Sequence, residues 1–130
     1  MTEKTIESDE ANRPSGNTRT VALLLSDIVG SVALKDRFGT GAYAAALRRH
    51  DELFQAAVAA GPAPIGRQDT GDGFLVLYEK VSDATRAALR FQSALDRAEW
   101  AECRPQVRCV LHVGEVTEIP DPGAEQPKLI

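Results

Sequence analysis

Two acidic residues stand where the chain must turn sharply: Asp27, closing the apolar run Val21-Ala22-Leu23-Leu24-Leu25-Ser26, and Asp72, inside Thr70-Gly71-Asp72-Gly73. A third stretch, Val29-Gly30-Ser31, follows the first aspartate almost at once. Singly, each has an ordinary structural reading. An Asp after a strand caps or turns the chain, and a Gly-Asp-Gly turn closes a hairpin. Together they have a chemical one. Two carboxylates converging on one point repel, and one would hold its proton unless a cation sat between them. Mg²⁺ suits that arrangement, because it takes one or two carboxylates and completes its shell with water and substrate phosphate oxygens. A strand-to-helix turn beside them would offer backbone N–H groups and the positive end of a helix dipole to an anion.

Whether the two aspartates meet depends on the elements between them. Residues 21–27 read as a buried strand. Gly30-Ser31 opens a short helix with Leu34 and Phe38 one turn apart, and Gly39-Thr40-Gly41 breaks it. A longer helix from Ala42 to about Ala59 carries the stripe Tyr43, Ala46/Leu47, His50, Leu53/Phe54 and Ala57, and Gly61-Pro62-Ala63-Pro64 ends it. Ile65–Asp69 and Gly73–Tyr78 form a hairpin about the Gly-Asp-Gly turn. Ser82 is the expected N-cap of the next helix, with Asp83 in its first turn. That helix buries Ala84, Ala87/Ala88, Phe91, Ala94/Leu95 and Ala98. After Arg104-Pro105, the residues Val107, Cys109, Leu111 and Val113 alternate as a strand face, with His112 pointing the other way.

The order is thus strand, paired helices, hairpin, helix, strand. It predicts an α+β fold, a ferredoxin-like βαββαβ sheet with helices on one face. In that layout the end of the first strand and the hairpin turn lie side by side, so Asp27 comes to face Asp72. Residues 1–19 are polar and read as a disordered tail or linker. Residues 20–119 form the domain, and the segment 120–130, with Pro120-Asp121-Pro122-Gly123, reads as a loop.

Fifteen Lys and Arg against 19 Asp and Glu leave a net charge of −4, which excludes a general electrostatic footprint for nucleic acid. Two cysteines, Cys103 and Cys109, with no signal-peptide core ahead of them, point to a reducing cytoplasm rather than a disulfide framework. No segment is long and apolar enough to span a bilayer. His50, on an apolar helix face, reads as a satisfied, partly buried histidine. Trp100 and Tyr78 read as packing residues, and Arg48 and Arg49 as a solvated flank. With no Cys-x-x-Cys pair there is no zinc pattern.

The motifs also resemble a known family. Leu25-Ser26-Asp27-Ile28-Val29-Gly30-Ser31 resembles the first metal-binding motif of class III adenylate and guanylate cyclases, and Thr70-Gly71-Asp72-Gly73-Phe74 resembles the second. Leu111-His112-Val113-Gly114-Glu115-Val116 is similar to the strand that follows in those domains. The resemblance runs from roughly Thr20 to Val116. It implies that Asp27 and Asp72, with the backbone carbonyl of Ile28, bind two Mg²⁺ or Mn²⁺ ions. It implies that Val29, Gly30 and Ser31 give backbone contacts to the phosphates, and that ATP (or GTP) becomes a 3′,5′-cyclic nucleotide and pyrophosphate at a homodimer interface. Gln68 stands where the family commonly reads the base with Lys (adenylate) or Glu (guanylate), and an amide can both donate and accept. No Asn-x-x-x-Arg follows Val116. The resemblance therefore implies a partial domain that alone catalyses poorly or not at all for want of the C-terminal catalytic residues, and as an alternative a catalytically inactive module for dimerisation or nucleotide sensing.

Overall fold

The computed structural model describes residues 18–119, residue 123 and the backbone of residues 128–129. The leading apolar run becomes β1 (Thr18–Ile28), which starts inside the segment expected to be a tail. Helix α1 (Ser31–Ala59), β2 (Gly66–Asp69), β3 (Gly73–Tyr78), α2 (Val81–Arg97), β4 (Val107–Ile119) and β5 (Lys128–Leu129) follow. The two helices expected between Ser31 and Ala59 are continuous except at Gly39, whose φ of 85° and ψ of 161° are not helical. The break falls where the glycines predicted it.

The chain divides into two compact units, Val21–Gly114 and Met1–Thr20 with Glu115–Ile130. In the second of these, Arg19 pairs with Glu118 (3.0 Å) and the hydroxyls of Thr18 and Thr117 meet at 3.3 Å. There Glu118 and Ile119 also pair antiparallel with Leu129 and Lys128, so two residues of the expected terminal loop are strand. Apart from residue 123, the rest of that loop and the tail 1–17 lie outside the described residues.

In the unit Val21–Gly114 the strands lie in the order β2-β3-β1-β4. The sheet is antiparallel and two helices complete the expected α+β, ferredoxin-like arrangement. Alternation decides which side the helices cover. Ala22 and Leu24 of β1 and Phe74, Val76 and Tyr78 of β3 pack against Phe54, Ala57 and Val58 of α1 and against Ala84, Ala87, Ala88, Phe91 and Leu95 of α2. Phe54 stacks on Phe74 (centroids 4.2 Å apart, planes at 4°) and meets Phe91 edge-on (5.0 Å, 88°). Aromatic pairs of this geometry add about 0.5–1.5 kcal/mol beyond the area they bury. The Arg90 guanidinium donates to the Ala57 carbonyl at 2.8 Å, tying the two helices together.

Three local readings need correction. Helix α2 begins at Val81 with Lys80 at its N-cap and no side-chain cap, so Ser82 is already helical. The glutamate–lysine pair ahead of it leaves the first turn to be stabilised by Asp83 and by packing. Leu111 and Val113 are exposed, at 43% and 51%, because α2 covers β4 only as far as Val107 and Cys109. His50 is wholly buried, between Phe74 and Phe91. Its Nδ1 meets Asp51 Oδ1 at 2.8 Å while its Nε2 has no partner, so it is half satisfied. Both cysteines are free thiols, and Cys103 is buried against Tyr43 and Ala46. Among the described residues no helix is long and apolar enough to cross a membrane.

Candidate functional site

The hairpin tip is pressed onto the end of β1. Asp27 is the register partner of Gly73, and the Ile28 N–H donates to the Asp72 carbonyl at 3.0 Å. A Cβ at Gly73 would lie 1.7 Å from the Ser26 carbonyl oxygen, so only glycine permits this approach. The buried Ser26 hydroxyl accepts the Phe74 N–H at 3.2 Å, which fixes the first residue after the tip. Asp69 closes the turn from the other side, its carboxylate accepting the Gly71 N–H at 2.7 Å. The same residues that make Phe74 a core anchor therefore hold Asp72 beside Asp27.

Both aspartates line one open cleft of about 530 Å³, together with Leu25, Thr70, Arg108 and Val110. It lies on the sheet face that the helices leave bare. The two carboxylates are held differently. Asp72 Oδ2 accepts a hydrogen bond from the Ser31 hydroxyl at 3.1 Å. Asp27 is gripped by the guanidinium fork of Arg108, Nε to Oδ1 at 3.2 Å and a terminal nitrogen to Oδ2 at 2.8 Å. That hydrogen bonding, with the charge of Asp27, raises the Arg108 pKa further above its already high ordinary value. Tyr43 stands behind Ser31. Burial pushes its phenol up, the hydrogen bond to Ser31 opposes that, and the Asp72 charge adds to the rise.

The turn into α1 is the remaining part. Gly30 occupies the N-cap in the left-handed region (φ 63°, ψ 42°), with no side-chain cap and no acidic residue in the first turn. The first N–H groups of the helix lack intrahelical partners by geometry, and nothing anionic from the chain's own first turn competes for them. The Val29 N–H, by contrast, donates to the Gln106 carbonyl at 2.8 Å. Of the three residues expected to present backbone donors to an anion, Val29 is thus engaged, and Gly30 and Ser31 lead the helix. Gln68 is exposed on β2, in the row Gln68–Leu75–Leu25 that crosses the sheet. Directly paired residues share a face, so Gln68 stands on the side of Leu25 and Asp27.

Arg108 was not singled out from the sequence. Its signal was the alternation of β4: with Val107 and Cys109 packed on the core, Arg108 must point to the opposite face. Gln92 of α2 sets that register, donating to the Val107 carbonyl (3.1 Å) and to the Cys109 sulfur (3.3 Å). Burial raises the Cys109 thiol pKa and the Gln92 contact partly offsets it. A second cavity of about 450 Å³, walled by Ala42, Ala46, Trp100 and Cys103, contains none of the predicted site residues.

Among the described residues no group of three His, Cys, Asp or Glu is placed to hold a metal. The donors present are hard oxygens, two carboxylates and neighbouring carbonyls. That set fits Mg²⁺ or Mn²⁺ whose remaining positions are filled by water and phosphate, and it does not fit a soft or fully caged ion.

Neither a family model nor a curated protein matches the sequence. Solved structures do resemble it. A bacterial light-regulated adenylyl cyclase is similar over 99% of this chain and 46% of its own, with 15% identity and a TM-score of 0.70. Adenylate cyclases from Trypanosoma brucei in their monomeric state match over 92% of this chain and 65% of theirs (17% identity, TM-score 0.72). The guanylate cyclase domain of RhGC from Catenaria anguillulae, in complex with GTP, matches over 88% and 66% (19% identity, TM-score 0.66). The chain therefore spans between 46% and 66% of the length of these relatives. Identities this low speak for architecture alone, and the architecture is that of adenylyl and guanylyl cyclase catalytic domains.

Proposed function

We propose that this chain works as a nucleotide cyclase, turning a purine nucleoside triphosphate, ATP by preference, into its 3′,5′-cyclic monophosphate and pyrophosphate. The observation that carries this reading is the pair Asp27 and Asp72 on one cleft, beside an uncapped helix N-terminus, in a fold shared with cyclase domains. Asp27, Asp72 and the Ile28 carbonyl would hold two Mg²⁺ or Mn²⁺ ions. Bound there, the ions supply acidification of the ribose 3′-hydroxyl and charge neutralisation on the triphosphate. Gly30 and Ser31 orient the phosphates by backbone donation, and the Ser31 hydroxyl keeps Asp72 turned toward them. Arg108 gives the cleft its cation for the developing charge on the leaving pyrophosphate. Gln68, on the same face, would meet the base, and its amide suits either purine edge.

A second copy of the chain completes the site in this proposal. Leu25 and Val110, exposed at 41% and 48%, flank the aspartates on the bare sheet face and are the surface such a copy would cover. The competing reading is a non-catalytic nucleotide-sensing or dimerisation module. It is favoured by the Arg108 fork, which already satisfies Asp27.

Cyclic nucleotide formation from Mn²⁺–ATP and Mn²⁺–GTP, measured on this chain and on one extended to its gene's natural stop codon, decides between them, with turnover from the extended chain carrying the cyclase reading. Turnover is expected with ATP above GTP, falling about 100-fold or more in Asp72→Ala, the scale on which losing one transition-state electrostatic contact is felt. Nucleotide binding without turnover in both this chain and the extended one would transfer the case to the sensing module.

A further inference from the structure

The two cleft carboxylates are unequal. Asp72 accepts one neutral hydroxyl, while both oxygens of Asp27 are taken by one guanidinium. The Asp27–Arg108 pair is open to solvent, with side chains 40% and 63% exposed, and exposed pairs add little to folding stability. Stability therefore gives no reason for its fork geometry at the mouth of the cleft. A divalent ion approaching Asp27 alone meets a carboxylate already bonded and a positive charge beside it. A polyphosphate changes that balance, because two of its oxygens offer the planar guanidinium another bidentate anionic partner.

Resting on the cyclase reading of this cleft, we propose that Arg108 couples cation entry to polyphosphate entry. It bars Asp27 to a free divalent ion and yields Asp27 when a di- or triphosphate takes over the guanidinium. The site then fills with metal and nucleotide together, and a free metal ion enters first on the Asp72 side. Binding free energies are reciprocal, so whatever factor pyrophosphate adds to cation affinity, the cation adds to pyrophosphate affinity. The same exchange limits futile occupation of the cleft by cellular Mg²⁺ alone.

The test is Mn²⁺ binding followed by electron paramagnetic resonance of free Mn²⁺, with and without inorganic pyrophosphate. It uses the whole chain, Arg108→Gln and Asp72→Asn. Because pyrophosphate binds Mn²⁺ directly, the informative quantity is the difference between the unaltered chain and Arg108→Gln. Arg108→Gln should bind Mn²⁺ alone about tenfold more tightly, and the enhancement brought by pyrophosphate should shrink by the same factor. Equal affinity of the two proteins for Mn²⁺ alone, with pyrophosphate-dependent binding intact and lost in Asp72→Asn, overturns the coupling and leaves the cyclase reading standing. Failure of the unaltered chain to bind Mn²⁺ even with pyrophosphate overturns both.

Discussion

The two faces of one sheet obey different rules although their residues alternate along the same strands. On the covered face, Leu24, Val76, Tyr78 and Phe74 are all but inaccessible, and each side chain is fixed by several neighbours. On the bare face, Leu25, Asp27, Arg108 and Val110 line a cleft, and what holds them is a few polar contacts and the backbone beneath. Precision on the bare face comes from the covered one. The bare face does not organise itself; its carboxylates are positioned because Phe74, one residue beyond Gly73, is locked into the aromatic cluster behind it.

Phe74→Ala strikes the covered face hardest. A buried aromatic truncated in this way costs about 3–5 kcal/mol, whereas Leu25→Ala on the bare face should stay within about 0.5 kcal/mol. Chemical denaturation of the two variants reads the difference directly, and similar losses from both would erase the distinction between faces. Gly73→Ala acts on the junction. Its methyl meets β1 backbone that cannot rotate away, so we expect roughly 1–3 kcal/mol of destabilisation from overpacking and loss of metal–nucleotide binding out of proportion to it. A melt and a Mn²⁺–ATP titration on one preparation separate the two effects.

Tyr78 gives the covered face a pH-dependent signature of its own. Burial raises the Tyr78 phenol above 10.0, with Arg90 partly opposing, and its hydroxyl has no hydrogen-bond partner. The unfolded chain therefore loses this proton first. The associated stability is complete below about pH 10, the ordinary tyrosine value, and disappears as pH climbs through the folded value. Tyr78→Phe should change neutral-pH stability by less than about 1 kcal/mol and flatten the fall in melting temperature above pH 10. An unchanged alkaline slope would deny Tyr78 that role.

Much of the fold was legible because its signals are local and periodic. The α1 stripe through Tyr43, Ala46, His50, Phe54 and Ala57 is the buried one, and Gly39 breaks the helix where the glycines cluster. The meeting of Asp27 and Asp72 followed from topology once the hairpin was recognised. What was missed depends on geometry that no local pattern carries. Arg108 belongs to Asp27 only through the position of β4 beside β1, and one arginine in a strand says nothing of its neighbour across the sheet. Leu111 and Val113 keep the alternation of a buried face, but no helix extends over them. The engagement of the Val29 N–H depends on Gln106, seventy-seven positions away in the chain and invisible from the turn itself.

For the proposed metal site, the contact between Gly73 and the backbone of Ser26 bears on ion choice. Peptide groups, not side-chain rotamers, set how far apart the roots of the two carboxylates stand, and the Ile28–Asp72 hydrogen bond pins the same spacing. Strands so joined do not splay to welcome a large ion or close up around a small one; only the short aspartate arms adjust. In the proposed metal site, a six-coordinate ion with short metal–oxygen distances would suit such a frame better than Ca²⁺, which takes longer bonds and more ligands. Under that proposal, size discrimination would lie in the way two strands meet, before any ion arrives.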